Sequence, residues 1–345
     1  MKNLDSTMER IGTIGSKAVY ISDFAMFNDK FEVTYVTEDL IPKAVTITPD
    51  EMKQITKSAK KNNQGMVMLV SNLYDPLLSI SVALTGSSVE RTKGAFRTPG
   101  LDLRTADEET IMLTFNKIWP GWREIILKQA DKAEAAGIDY MTINPNDQAF
   151  EYILKSDILD DRYRELIPEV RKRFSGKIGL IGMLPHVNEL ESVHDVDFVL
   201  ISWDPNGDYI GRDIFADTRN TDIDEIEASF TEWLSRPEWE KFKGKEVYIS
   251  VTLPSYTGAL QEGWIEPALG EERWTINYRE QALGYEGLFR ALYKGDYNIK
   301  GVFSYGYWWS DQLYPVTKDI RNDLMHTIRQ KDAENVFYKW SKVFV

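Results

Sequence analysis

Seven short apolar segments recur along the chain and alternate with stretches of helical pattern. In chain order they are KAVYISDF from residue 17, GMVMLVSNLY from 65, GIDYMTINP from 137, KIGLIGMLP from 177, VDFVLISW from 196, EVYISVTLP from 246 and IKGVFSYGYW from 299. Each is continuously apolar, which is typical of a strand buried on both faces of a parallel sheet. The sequence therefore predicts an α/β fold.

The stretches between these segments carry apolar residues at helical spacing. Thr48 precedes Pro49, Asp50 and Glu51, which is the pattern of an N-cap, a first-turn proline and acids at the positive end of a helix. Further helical stripes span residues 122–133, 163–174 and 278–293, and a helix-like piece at 4–14 precedes the first strand.

Strand–helix alternation with right-handed crossovers permits an open doubly wound sheet or a closed barrel. No glycine-rich loop follows the first strand, which disfavours a nucleotide-binding fold. The later loops are long and carry Trp and Tyr at the strand ends where barrel enzymes build their sites. We therefore predict one domain over residues 1–345 with a (β/α)8 TIM-barrel fold. Since seven strands are evident, the first strand of the barrel is expected to be lacking or borrowed, as in a part of a longer protein.

Charge and residue usage exclude several classes of function. Lys and Arg number 41 and Asp and Glu 54, so the net charge of −13 disfavours nucleic acid as a partner but not an uncharged carbohydrate. The chain has no cysteine and three scattered histidines, so neither a metal site nor a cofactor is predicted. No apolar run approaches the roughly 18 residues of a membrane span. The first residues lack the apolar core of a signal peptide.

Large aromatic residues gather at the ends of the later strands. Four of them, Tyr305, Tyr307, Trp308 and Trp309, close the last apolar segment. Other loops supply Trp203, Tyr256, Trp264 and Trp274. Rings of this kind stack on the C–H face of a sugar, or alternatively fill the interface between barrel and helices. We expect them to line a carbohydrate-binding cleft.

The order of several longer segments resembles that of a known enzyme group. The segments are WREIILKQADKAEAAGIDYMTI, LDDRYRELIPEVRKRFSGKIGLIG, VDFVLISW, YREQALGYEGLFRALYKGDYNIKGVFSYGYWW and IRQKDAENVFYKW. They resemble the clan A glycoside hydrolases, and most of all family 113, the β-mannanase-like barrels. That family has a Gln-Ala helix, a strand ending Gly-x-Phe-x-Trp and a Lys-Pro-Ala stretch, for which this chain has YREQA at 278–282, GVFSY at 301–305 and KDA at 331–333. The resemblance covers most of residues 5–340.

The chain departs from the family at both catalytic positions. Where the resemblance implies an acid/base Glu after an Asn, residues 144–147 read NPND. Where it implies a nucleophilic Glu, residues 249–256 read ISVTLPSY and hold no carboxylate. The activity implied by the resemblance therefore requires a rearranged pair of carboxyl groups.

Three acids are candidates for that pair, since glycoside hydrolysis uses one carboxyl group as acid and another as nucleophile or base. Asp147 lies next to the family's acid/base position, although it also fits a helix N-cap. Asp204 follows the run VDFVLISW, which is the sixth strand if the first strand of the barrel is lacking, and it fits an Asx-type turn before Pro205 better than a catalytic role. Glu262 lies in the seventh loop, where acids are usually solvated.

Four polar residues near predicted strand ends are expected to bind sugar hydroxyl groups. They are Asp23, Asn72, Asn144 and His186. Together these residues predict a glycoside hydrolase-like protein acting on a neutral poly- or oligosaccharide. The alternative is a non-catalytic carbohydrate-binding barrel, or a structural domain of a larger surface protein. The resemblance favours an extracellular or cell-surface location.

Overall fold

The structure of the protein is a computed structural model. It describes residues 3–27, 31–35, 47–74, 97–98, 101–102, 107–145, 157–203, 222–262, 275–307, 323–324 and 326–344. The strands, in chain order, are β1 (Ala18–Phe27), β2 (Val33–Tyr35), β3 (Met66–Tyr74), β4 (Arg97–Thr98), β5 (Leu101–Asp102), β6 (Tyr140–Thr142), β7 (Lys177–Gly182), β8 (Phe198–Trp203), β9 (Glu246–Val251) and β10 (Gly301–Ser304). The seven predicted apolar segments thus correspond to β1, β3 and β6 to β10.

The described helices include every one that the sequence predicts. In chain order they are α1 (Leu4–Thr13), α2 (Pro49–Lys61), α3 (Glu108–Ala136), α4 (Asp157–Arg171), α5 (Leu184–Glu189), α6 (Ile223–Leu234), α7 (Ala259–Glu262), α8 (Tyr278–Lys294) and α9 (Asp332–Trp340). Short 3-10 helices span Glu191–Asp195 and Pro237–Phe242. None of the helices in the described ranges is long and apolar enough to cross a membrane.

Local chemistry explains where these helices begin. At α2, the Thr48 hydroxyl accepts from the Glu51 amide at 3.2 Å, and the Glu51 carboxylate accepts from the Thr48 amide at 3.0 Å. At α8, the Asn277 side chain accepts from the Glu280 amide at 3.0 Å. The first of these caps was predicted from the sequence.

The chain divides into two compact bodies. The first body comprises Ala18–Lys61 and Gly65–Val199, and the second comprises Met1–Lys17, Asn62–Gln64 and Leu200–Val345. Each is described on its own below. The single domain expected over residues 1–345 stays a prediction.

The first body is built on a largely parallel sheet in the order β7-β6-β3-β1-β2. β1 and β3 are parallel and in register from Ala18 opposite Met66 to Met26 opposite Tyr74. β3 with β6 and β6 with β7 are also parallel, whereas β2 pairs antiparallel with the end of β1. The sequence did not predict β2, because its three residues are too few to show a period. The carboxyl ends of the four parallel strands therefore share one edge.

The second body holds the order β10-β9-β8 and the helices α1 and α6 to α9. β9 and β10 are parallel, with Gly301 opposite Tyr248. Its core includes three large rings on β8, α6 and the 3-10 helix that follows, since Trp233 lies 6.5 Å from Trp203 and 5.0 Å from Trp239 between ring centroids. The carboxyl ends of β9 and β10 thus lie side by side.

Candidate functional site

In the first body, Asp23 was predicted near a strand end, but β1 continues to Phe27 beyond it, and its side chain is fully buried within the sheet. Its carboxylate forms an ion pair with Lys132 of α3. It also accepts from the backbone amides of Phe24 at 3.2 Å and Ile47 at 3.3 Å. Lys132 donates in turn to the Ile47 carbonyl at 2.8 Å. Burial raises the pKa of the Asp23 carboxyl above its ordinary value, although Lys132 acts in the opposite direction.

The predicted asparagines of the first body are also buried. Asn144 bridges two strands, because its Oδ1 accepts from the Ile181 amide at 2.7 Å while its Nδ2 donates to the Ile181 carbonyl. Asn72 donates to the Val70 carbonyl at 3.2 Å. His186 lies in α5, directly after β7, and is buried. The contacts of Asp23 and Asn144 thus hold the sheet edge together and leave neither side chain open to a ligand.

In the second body, two of the predicted rings belong to the core. Trp203 is fully buried at the end of β8, with its ring centroid 4.9 Å from that of Phe230 on α6. Tyr256 is also fully buried, and its backbone pairs with that of Ile276. The ring of Trp203 therefore packs against the helix layer, which is the alternative that the sequence left open for such residues.

Tyr305 and Tyr307, at the carboxyl end of β10, are partly exposed. The Tyr305 ring lies 4.7 Å from the ring of the buried His326, measured between centroids. Gly306 between the two tyrosines has a φ of +81°, and a Cβ there would lie 2.6 Å from the His326 ring. His326 therefore packs against the turn at Gly306 and against the Tyr305 ring, which fixes the position of Tyr305.

The hydroxyl of Tyr307 is held by a charged network. It donates to Glu334 of α9 and accepts from the Arg10 Nε at 3.1 Å. Arg10 of α1 also grips Glu334 through two hydrogen bonds of 2.8 and 2.6 Å. The Arg329 guanidinium lies 5.5 Å above the Tyr307 ring centroid. Burial opposes ionisation of Glu334, but hydrogen bonds from Arg10 and Tyr307 outweigh it and hold the pKa of Glu334 below its ordinary value.

A buried lysine lies beneath the loop after β9. The Lys331 Nζ donates to the Ser255 Oγ at 2.8 Å, and the Ser255 hydroxyl donates to the Asp323 carbonyl at 2.9 Å. Burial lowers the pKa of Lys331 to about 7, although Asp323 acts in the opposite direction. Sequence reasoning missed this lysine and Glu334 as supports of the site, although both lie in the KDAE stretch that carries part of the family resemblance.

The positions of the other predicted site residues are not described by the structure. Asp147, Asp204, Trp264, Trp274, Trp308 and Trp309 lie outside the described residues. Glu262 is the last residue of α7, and its side chain is likewise outside the described part. Within the described ranges, no three His, Asp or Glu side chains are grouped as a metal site would require.

Gly306 offers a direct test of how firmly this turn is held. We expect Gly306→Ala to lower the free energy of unfolding by more than the ~1–2 kcal/mol that a left-handed backbone alone costs a residue with a Cβ. The added cost comes from the methyl group, which meets the His326 ring at 2.6 Å. Gly137→Ala is the matched control, since Gly137 has a φ of +70° with nothing within 4 Å of the added Cβ. Urea unfolding curves of both variants measure the difference, and equal losses would contradict the packing role of Gly306.

Comparisons with known proteins find a likeness in structure alone. No family model matches the chain. No curated protein matches it either. A β-mannanase of glycoside hydrolase family 113 from Alicyclobacillus acidocaldarius superposes with a TM-score of 0.65 at 15% identity, over 100% of this chain and 93% of that one. A second family 113 structure, a β-1,4-mannanase, gives a TM-score of 0.62 at 16% identity over 99% of this chain and 93% of that one.

A more distant enzyme shares the architecture. A family 5 mannosidase from Rhizomucor miehei gives a TM-score of 0.53 at 7% identity, over 99% of this chain and 87% of that one. At such identities the likeness establishes the fold and nothing finer, and it confirms the predicted (β/α)8 fold class. The chain therefore has the fold of the clan A glycoside hydrolases, with the β-mannanases of family 113 among the proteins that it resembles.

Proposed function

We propose that the protein binds a neutral oligo- or polysaccharide on the ring faces of Tyr305 and Tyr307 and hydrolyses its glycosidic bonds. The observation that carries the binding step is that both side chains are held in place, Tyr305 by the His326 ring and the Tyr307 hydroxyl by Arg10 and Glu334. Rings fixed in this way lose little conformational entropy when a sugar stacks on them. The glycoside hydrolase fold, which the β-mannanases named above share, supports carbohydrate as the ligand class.

The hydrolytic step rests on acids beyond the described residues. We assign the general acid to Asp147 and the second carboxyl group to Asp204 or Glu262, since two such groups are required. The contacts of Asp23 favour a structural role for it, because its carboxylate is committed to Lys132 and two backbone amides. Asp23 is therefore left out of the proposed pair.

A second candidate is a carbohydrate-binding barrel without catalytic activity. It is favoured by the end of β9, where the segment 249–256 holds no carboxylate and Ser255 is engaged by Lys331. Both candidates share the aromatic surface at the end of β10. They differ only in whether a bound saccharide is cleaved.

Binding and turnover on a panel of neutral polysaccharides and their oligosaccharides separate the two. We expect calorimetric binding that Tyr305→Ala weakens about tenfold, since ring stacking contributes ~0.5–1.5 kcal/mol beyond buried area. Tyr305→Phe retains the ring and should bind as the unmodified protein does, and the exposed Tyr338→Ala is the surface control. No binding to any member of the panel would contradict the proposal.

Release of reducing ends from the same panel tests the hydrolytic step. We expect turnover by the unmodified protein and its loss in Asp147→Ala with binding retained. Turnover that survives Asp147→Ala would remove this residue from the mechanism. Binding without turnover in the unmodified protein would favour the second candidate.

A further inference from the structure

The second body carries a concentrated patch of exposed apolar side chains. Tyr293 near the end of α8, Tyr338 on α9, and Val343 and Phe344 just after α9 form what we call the terminal patch. They are four of the seven large apolar side chains that are exposed in the described residues, each between 43% and 62% accessible. Exposed apolar residues gathered in this way mark interaction surfaces more often than scattered ones do.

Two rings of the terminal patch, those of Phe344 and Tyr293, are held in place by packing against Trp340. The Phe344 ring lies 5.5 Å from Trp340 at an interplanar angle of 27°, and Tyr293 lies 5.7 Å from it. Phe289 stacks on Trp340 from the protein side at 6.0 Å. The Trp340 Nε1 donates to Glu286 at 2.8 Å. A partner would therefore meet a surface that needs no ordering on binding.

The rim of the terminal patch is basic, although the chain as a whole is acidic. The segment 335–344, NVFYKWSKVF, has two lysines and no acid, in a chain with 54 acids and 41 bases. Lys342 lies 3.8 Å above the Tyr338 ring centroid, and Lys339 lies 4.8 Å from that of Trp340. The acid beneath them, Glu286, accepts from Lys339 and from Arg290. The charge of this surface therefore complements an anionic partner.

We propose that the terminal patch binds the surface of a lipid bilayer that carries anionic headgroups. Tyrosine suits the boundary between headgroups and acyl chains, since it has an apolar body and a polar tip. Lysines beside them attract anionic lipid with about 1 kcal/mol each. A second copy of the chain fits less well, because a two-fold contact would bring the lysines of both copies into the same interface.

The position of the terminal patch leaves the aromatic surface of the proposed function uncovered. Tyr293 lies in the last turn of α8, which leads into the amino end of β10, whereas Tyr305 follows the carboxyl end of that strand. A bilayer contacting the patch therefore meets the opposite end of β10 from Tyr305. The inference does not depend on whether the protein binds or cleaves a saccharide.

Co-sedimentation with vesicles tests this proposal. We expect the full chain to bind vesicles of phosphatidylcholine with a third phosphatidylglycerol, and to bind pure phosphatidylcholine at least tenfold more weakly. Tyr293→Ser combined with Phe344→Ser should abolish binding, and Lys342→Glu should weaken it more than tenfold because the charge is reversed. The matched control is Leu113→Ser with Ile158→Ser, which removes two equally exposed apolar side chains of the first body and should leave binding unchanged.

Other outcomes would overturn the proposal that the terminal patch binds lipid. Failure of the unmodified protein to bind anionic vesicles, or equal binding to both vesicle types, contradicts a basic lipid-binding surface. Equal loss of binding in the Leu113 and Ile158 variant does the same. Light scattering after gel filtration supplies the remaining check, since a dimer that dissociates in the Tyr293 and Phe344 variant would assign the terminal patch to a second copy.

Discussion

Lys132→Met is expected to lower the free energy of unfolding by about 3–5 kcal/mol, the cost of removing one partner from a buried ion pair. The reason is that Asp23 is fully buried and Lys132 is its counter-charge. Without the ammonium group, two backbone amides are left to stabilise the carboxylate. Since burial already raises the pKa of Asp23, the loss should shrink at low pH, where the carboxyl group becomes protonated. Urea unfolding followed by circular dichroism at pH 7 and pH 4 measures both effects.

Lys128→Met is the matched control for this prediction, one turn earlier on α3. Lys128 pairs with Glu124 at 2.6 Å, but both side chains are more than half exposed, so its removal should cost about 0.5 kcal/mol or less. Replacing both buried partners, as Asp23→Leu with Lys132→Met, should recover much of the stability lost in the single variant. A loss under about 1 kcal/mol in Lys132→Met would mean that water or another cation compensates Asp23.

The elements of the fold were predictable where a pattern extends over several residues. The runs that became β3 and β9 are long enough to show burial on both faces, and Thr48 with Glu51 gives a helix start that the structure reproduces. The first four turns or so of α3 were missed because residues 108–121 mix polar and apolar side chains without a clear stripe. A helix or strand is therefore predictable only over those residues in which its hydrophobic pattern is visible.

The sequence predicted where the candidate site residues lie better than it predicted what their side chains do. Tyr305 and Tyr307 do follow a strand, as their place after an apolar run indicates. Asp23 instead lies inside β1, which continues to Phe27, and its partner Lys132 is 109 residues away in the sequence. Likewise, Tyr307 depends on Arg10, 297 residues away. A sequence pattern can locate a strand, but it does not show which distant side chain forms an ion pair or hydrogen bond with a polar group on it.

Lys331 should make the free energy of unfolding depend on pH between about pH 7 and pH 10. Its pKa is about 7 in the folded protein and 10.5 when unperturbed. Between these values the unfolded chain binds one proton more than the folded chain, so stability rises with pH by up to about 1.4 kcal/mol per unit. Burial lowers the pKa of the neighbouring His326 to about 3, so that imidazole stays neutral throughout the window.

Lys331→Met should therefore be more stable than the unmodified protein at pH 7, by about 3 kcal/mol after subtracting ~1 kcal/mol for the lost hydrogen bond to Ser255. The advantage should fall steadily and vanish near pH 10, because the cost of deprotonating the lysine on folding has then dropped to the ~1 kcal/mol of the hydrogen bond to Ser255. Urea unfolding at pH 7, 8, 9 and 10 measures the difference between the two proteins, so other titrating groups cancel. Lys61→Met, at an exposed position on α2, should show no such trend. A constant difference across the series would mean that Lys331 keeps its proton when folded, in which case a negative partner must stabilise the charge.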